Sequence, residues 1–402
     1  MNCGILYTDT LDSMCSSQTC MQICHTYIIK KMGDFSMDKV FLARCENYDY
    51  ELVEKNVNRI FDSFGGAEAI LRGRKKVTVK VNLLLPKSPE NAATTHPAVA
   101  AAVAKYFVSA GAEVTIADSP GGPYNTVTIN KVYDACGMRE AAERSGAVLN
   151  TDMGSRIKTY ECESGVRAFD IINPVYDADV VIDVAKMKTH SLAYFTGAVK
   201  NLFGTIAGVN KAAYHANLPK VEDFCEMLVD LCRTVAPDFS IIDGIVGMEG
   251  DGPSGGNPKH AGVIIGAVNP FAADLAAMRF CGLDENNSPV HRRGVQLGLV
   301  SDIEHIGDDP APVVPPFTPA MMDKKMWKAV SAIPNVISRV VGAHFRPYPI
   351  ISDRCVGCGI CAESCPGKAL EIKNKKAVLS KKKCIKCYCC HELCRIEAID
   401  LR

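Results

Sequence analysis

The chain has 402 residues, equal numbers of basic and acidic side chains (45 each), 48% hydrophobic and 22% charged residues. That is ordinary globular composition, enough for one large domain plus a small one, and it excludes disordered, collagenous and disulfide-stapled classes. No window reaches the roughly 18 apolar residues of a membrane span. Residues 1–36 lack the basic start, apolar run and cleavage site of a signal peptide, so a reduced, cytoplasmic protein is expected.

The first 36 residues show no clear periodicity and carry Cys3, Cys15, Cys20 and Cys24 at gaps that fit no common motif. They read as an upstream start or a loose extension, with a metal-binding arm of Cys20, Cys24 and His25 as the rival. Met37 opens a first strand (MDKVFLARC). Residues 77–84 are β-branched and bounded by Pro86, a second strand, and Pro97–Ala110 is a helix that begins on proline and runs to Gly111. Further strands are read at 113–117, 179–184, 240–246 and 262–268, with helices at 220–235 and 270–281. The strand at 179–184 is apolar on both faces, as a buried parallel strand should be. Repeated βα units predict an α/β body over residues 37–307, a largely parallel sheet with helices on both faces. Residues 308–350 change character: a Pro-rich run, a helix bearing the only tryptophan, Trp327, and Arg346-Pro-Tyr-Pro make a linker.

Nine of the 19 cysteines lie between 355 and 394. They read Cys355-x2-Cys358-x2-Cys361-x3-Cys365-Pro366 and Cys384-x2-Cys387-x2-Cys390-x3-Cys394. Three cysteines at i, i+3 and i+6 let a curled loop grip three corners of one [4Fe–4S] cubane. The fourth opens a helix that turns its thiolate to the other cubane. Cys355, Cys358, Cys361 and Cys394 are therefore expected to hold one cluster, and Cys365, Cys384, Cys387 and Cys390 a second. Structural zinc needs four ligands, usually two CxxC pairs, and gives no reason for a repeated four-cysteine run. Residues 351–402 carry 11 Lys/Arg against 6 Asp/Glu, and cysteine-ligated clusters add negative charge that such a basic tail offsets. With no aromatic-interleaved groove beside it, the tail does not point to nucleic acid. The stretch resembles bacterial two-cluster ferredoxins, a small α+β fold. Arg395 replaces the proline usual after the second run, and Cys389 is a spare thiol beside a ligand.

In the body, polar constellations sit where strands end, the usual place for ligands in open α/β sheets. Lys80 and Asn82 lie on the second strand. Thr94-Thr95-His96 precedes the helix at Pro97, either as an anion site or as a plain N-cap. Asp118-Ser-Pro-Gly-Gly is a tight turn and not a dinucleotide fingerprint. The densest cluster is Asp183, Lys186, Lys188 and His190, followed by Lys200-Asn201 between glycines. Lysines at a strand's mouth can clamp an anion or deliver protons once desolvated, so Lys188, His190 and Lys200 are the catalytic candidates. Asp243, Glu249 and Asp251 sit on a Gly-rich loop that either approaches a ligand closely or is a lid or connector.

From Lys80-x-Asn82 through Lys186-x-Lys188-Thr-His190, Gly-Ala-Val-Lys-Asn-Leu-Phe-Gly and Asp243-Gly to Gly-Asp251-Gly-Pro, the chain resembles the domain of unknown function 362. That resemblance implies an α/β body often fused to a two-cluster ferredoxin, in anaerobes especially, and brings no settled reaction. More distantly, His190 and Gly197-x2-Lys200 are similar to nickel-pincer lactate racemases, whose full arginine and histidine set this chain lacks.

The function expected is electron transfer by two [4Fe–4S] clusters in an oxidoreductase. A redox partner would exchange electrons with the chain, and a small anionic substrate or cofactor would sit on Lys80, Asn82, Thr95, His96, Asn201, Asp243, Glu249 and Asp251. The alternatives are a carrier or assembly protein whose body only docks, and a racemase- or isomerase-like body with structural clusters.

Overall fold

A computed structural model describes residues 37–162, 165–208, 210–218, 220–320 and 347–401. The N-terminal extension and the helix expected around Trp327 lie outside the described residues. The strands in chain order are β1 (Asp38–Arg44), β2 (Lys76–Lys80), β3 (Glu113–Ala117), β4 (Val148–Leu149), β5 (Ser155–Cys162), β6 (Gly165–Ile172), β7 (Val180–His190), β8 (Tyr194–Thr196), β9 (Phe239–Glu249), β10 (Asn257–Ala267) and β11 (Ile303–Gly307). At the C-terminal end follow β12 (Pro349–Ile351), β13 (Leu370–Lys373), β14 (Lys376–Leu379) and β15 (Ile399–Leu401).

Nine of these strands make one sheet, in the order β11-β1-β10-β9-β7-β2-β3-β4 with β8 on β7. The run β9-β7-β2-β3-β4 is parallel throughout, and β10 is antiparallel to both its neighbours. Helices cover both faces. One core packs Phe224, Leu228, Leu275 and Met278 of the helices Val221–Val235 and Pro270–Phe280 against the sheet. The other packs Val53, Ile60, Val99 and Phe107 of Tyr50–Ser63 and Pro97–Ser109 on the opposite face. β7 sits between β9 and β2, and all eleven of its residues are buried. Among the described residues no helix is long and apolar enough to cross a membrane.

Several strands have other bounds than the sequence expectation: β9 runs three residues past Val246, β10 begins five before Gly262, and β2 and β7 end differently. β2 stops at Lys80, not Leu84, because Asn82 turns away to exchange hydrogen bonds with Thr95: Asn82 N–H donates to Thr95 Oγ1 (2.8 Å) and Thr95 N–H to the Asn82 carbonyl (2.9 Å). β7 runs six residues past Val184, so Lys186, Lys188 and His190 lie within the strand and not beyond its mouth. Polar partners from distant segments make this tolerable, since a buried charge is stable only when paired or hydrogen-bonded.

The C-terminal end is tied together by the short pair β12–β15 and the hairpin β13–β14. Residues 308–320 lie on the body: Phe317 is buried and its N–H reaches the Cys281 carbonyl (2.9 Å).

Candidate functional site between the sheet and the cysteine-rich end

The site begins with cations carried into the middle of the sheet. Lys80, Lys186 and Lys188 are each at most 1% exposed. Lys80 Nζ pairs with Asp118 Oδ1 (3.0 Å) and donates to Asn201 Oδ1 (3.1 Å). Gly204 covers that pair so closely that a Cβ there would meet Asp118 Oδ1 at 2.1 Å. Lys186 faces its neighbour across the β7–β9 register, Asp243, at 2.9 Å and also donates to Tyr48 Oη (2.7 Å). Lys188 differs. Its Nζ donates to Asn82 Oδ1 and the Ala93 carbonyl, both at 2.8 Å, and among the described residues no carboxylate pairs with it. Burial, with Lys200 and Lys186 nearby, pushes its pKa well below the ordinary lysine value. An anion bound beside Lys188 would supply the charge partner that favours its protonated form.

Lys188 lines a cavity of about 1060 Å³, counting its open mouth, together with Asn82, Lys200, Asn201 and Lys211. Lys200 is half-buried, stands over the Phe203 ring, and has its pKa lowered by burial. Lys211 donates to the Ser119 and Ile206 carbonyls (2.7 Å each), and burial lowers its pKa to about 7. Thr196 also lines the space, and its buried hydroxyl has no hydrogen-bond partner among the described residues. The rest of the wall is largely apolar, with Leu84, Phe203, Pro253 and Leu393.

The far wall comes from the cysteine-rich end: Cys365, Cys389, Glu392 and Leu393 line the same cavity. The short helix Cys389–Glu392 is pressed into the body. Leu393 packs on Gly121, where a Cβ would lie 2.2 Å from Leu393 Cδ2. Ser254 Oγ donates to the Glu392 carbonyl (2.9 Å), and His391 Nε2 lies 3.2 Å from the Asp251 carbonyl. Lys87 bridges the Ser254 carbonyl (2.6 Å) and the Glu397 carboxylate. The tight turn at Asp118 and the Gly-rich loop thus form the seat of the cysteine-rich end.

Glu392 Oε1 comes within 3.2 Å of His190 Nε2. The contact lies off the ring N–H axis, so it is electrostatic rather than an aligned hydrogen bond. Nδ1 of His190 accepts from the Leu192 and Ala193 N–H groups (2.9 and 3.1 Å), and burial lowers its pKa to about 4, so the ring is neutral with its proton on Nε2. Burial opposes ionisation of Glu392, yet His190, Lys200 and His215 together hold its carboxyl well below the usual carboxylate range.

The remaining candidates divide. Asn201 joins the site, its amide donating to Asp183 Oδ1 (2.7 Å) and its oxygen accepting from Asn82 (2.9 Å). Thr95 is spent on the backbone of Asn82 and Val184. His96 caps its own helix through Nδ1, and its N–H donates to Asp243 Oδ2 (3.0 Å), so the anion at that helix terminus is internal. Asp243 sits within β9 and holds Lys186 and Tyr48, whereas Glu249 pairs with Lys259 (2.9 Å) and Thr318 N–H (2.7 Å). Asp243 and Glu249 lie within β9 and not on a loop, and with Asp251 they are not brought to one point. Lys211, His215 and Glu392 were missed. The stretch Gly208–His215 carries one charged side chain, Lys211, so nothing in the sequence singles out the first two, and Glu392 is hidden inside a cysteine motif.

At the C-terminal end, Cys355, Cys358, Cys361 and Cys394 line one cavity with Ile372 and Ile396. Burial first, then Cys387, Cys361, Cys384 and Cys365, raises the pKa of Cys390, so thiols of both expected quartets lie near it. Backbone N–H groups point at four sulfurs: Ala369 at Cys365 and Ala398 at Cys394 (3.2 Å each), Ala377 at Cys355 and Lys386 at Cys384 (3.4 Å each). Such donors stabilise thiolates bound to iron. Among the described residues no three His, Cys, Asp or Glu side chains converge on a single metal ion. Thiols spread around a cavity suit a cubane better than zinc.

Comparison with known proteins matches two stretches of the chain. A family model described as a domain of unknown function (DUF362) matches residues 77–279, and a 4Fe–4S binding domain model matches residues 348–371. A thylakoid-associated protein of Synechocystis sp. is 30% identical over 269 residues, covering 65% of this chain and 79% of that protein. A ferredoxin-like protein in the nif region of Sinorhizobium fredii is 42% identical over 40 residues, 10% of this chain and 62% of that protein. Among solved structures, the lactate racemase apoprotein from Thermoanaerobacterium thermosaccharolyticum aligns with a TM-score of 0.40 at 15% identity, over 61% of this chain and 57% of that one. The chain belongs to the DUF362 family, a domain of unknown function, and carries a 4Fe–4S binding domain at its C-terminal end.

Proposed function

We propose that the chain is an iron–sulfur oxidoreductase whose cysteine-rich end holds two [4Fe–4S] clusters and serves a small anionic substrate or cofactor bound in the cavity it shares with the body. One observation carries the reading: Cys365, Lys188 and Lys200 line the same space. The clusters would supply single electrons. Cys355, Cys358, Cys361 and Cys394 would hold one, and Cys365, Cys384, Cys387 and Cys390 the other. Lys188 and Lys200 bind the anionic group, with Asn82 and Asn201 orienting it. Lys211, with its pKa near 7, can release or take a proton at Nζ. Leu84, Phe203 and Leu393 exclude water around an apolar remainder.

The test is anaerobic purification with iron and sulfide analysis, followed by mass spectrometry of co-purifying small molecules. About eight iron and eight sulfide per chain are expected, with an anionic molecule that Lys188→Ala and Lys200→Ala variants fail to retain. If those variants keep every activity and retain the same molecule, the oxidoreductase reading fails. The carrier reading, with the body as a docking module, would then stand. It is favoured by the number of body residues committed to seating the helix Cys389–Glu392.

A further inference from the structure

The hairpin β13–β14 and its flanks, residues 368–383, carry seven lysines (368, 373, 375, 376, 381, 382 and 383) and a single acid, Glu371. All seven are exposed. Lys373 pairs with Glu371 (2.6 Å) and Lys376 with Asp353 (2.6 Å). The other five make no ion pair within the described protein, so the hairpin faces solvent with a large positive excess. Compensation of cluster charge does not require this placement, because exposed ammonium groups are screened by water and salt.

Apolar surface lies beside the lysines. Val356 is 65% exposed, and Ile372, Val378 and Ile396 are each about 40% exposed. Val356, Ile372 and Ile396 border the cavity of Cys355, Cys358, Cys361 and Cys394, and Cys358 is the one exposed thiol among the eight expected ligands. The turn at Lys375 lies against Gly357, two residues from Cys355. A small apolar patch with a charged rim is how transient protein partners are steered and seated. The opposite quartet faces inward, through Cys365, to the cavity of the body.

We infer that this face is the docking surface for an acidic one-electron carrier protein, seated on the apolar patch at Cys358 and held by the lysines of residues 368–383. The inference concerns the outer face, so it stands or falls apart from the ligand proposed for the inner cavity.

The experiment titrates the full-length, cluster-loaded protein under anaerobic conditions with oxidised flavodoxin, an acidic carrier, and measures affinity by calorimetry. Binding is expected at low salt, weakened at least about tenfold at roughly 0.5 M salt. A variant with Lys375, Lys381, Lys382 and Lys383 changed to Gln should weaken it by a similar factor at unchanged iron and sulfide content, and V356S/I396S should weaken it without changing the salt dependence. Lys200→Ala should bind flavodoxin as the parent does. The inference is overturned if flavodoxin does not bind at low salt, or if the lysine variant binds it unchanged. It is equally overturned if that variant loses affinity for phosphatidylglycerol vesicles or duplex DNA while keeping flavodoxin.

Discussion

The carboxylate of Glu392, on the helix between two expected cluster ligands, stands 3.2 Å from the imidazole of His190, at the end of the central strand of the body. The two residues are 202 positions apart in sequence, and Glu392 lines the cavity together with Lys188 and Lys200. Burial lowers the pKa of His190, while His190 first, then Lys200 and His215, hold the Glu392 carboxyl well below the usual carboxylate range against its own burial.

Replacing Glu392 with Leu should therefore loosen the seat of the cysteine-rich end. Lys200 would lose its nearby carboxylate, a loss of about 1–3 kcal/mol for a partly buried pair. Hydrogen exchange should rise across residues 388–394 while the core of the body stays protected. Unchanged protection there would contradict the contact's structural role.

Gly121→Ala tests the same junction sterically. The new methyl meets Leu393 Cδ2 at 2.2 Å and the Leu84 carbonyl at 3.3 Å, an overpacking that costs about 1–3 kcal/mol. Anaerobic denaturation should show the loss, and trimming Leu393 to Ala in the same chain should restore part of it.

On the proposed reading, Lys211 should make anion binding depend on pH. Burial lowers its pKa to about 7, and the protonated form attracts an anion. Affinity should be highest below pH 7 and fall as pH rises above it, by up to about tenfold per pH unit. In Lys211→Met that part of the dependence disappears. Equilibrium dialysis of the co-purified ligand across pH 6–9 would measure it.

Asp274 adds a stability effect of opposite origin. It accepts the Ala198 and Val199 N–H groups (2.5 and 3.2 Å), and burial raises its pKa to about 7. The folded state thus keeps a proton that the unfolded chain releases near pH 4. The stability linked to that proton is present below about pH 4 and is lost as pH rises towards 7. The difference in stability between Asp274→Asn and the parent should shift in favour of the variant over that interval. A difference that stays flat would mean the carboxyl is already ionised.

The cysteine-rich end was the most legible part of the sequence because ligand spacing is local geometry, set by how a loop curls around a cubane. The largely parallel sheet was legible too, through the doubly apolar run at 179–184. The ends of β2 and β7 were not. A lysine reads as a strand's end unless its partner is known, and the partners of Lys186 and Lys188 are Tyr48, Asp243, Asn82 and the Ala93 carbonyl, 57 to 138 residues away. Glu392 was invisible for a related reason. Its neighbours in sequence are cysteines with an evident task, while its neighbours in space belong to the other end of the chain.

The central claim is that the cavity between Lys188, Lys200 and Cys365 is where the electrons are used. Its most direct test is stopped-flow reoxidation of the dithionite-reduced protein by the co-purified anionic ligand. The account predicts rapid reoxidation that slows by about a hundredfold in Lys200→Ala, with iron and sulfide unchanged. Reoxidation at the parent's rate in that variant would contradict it.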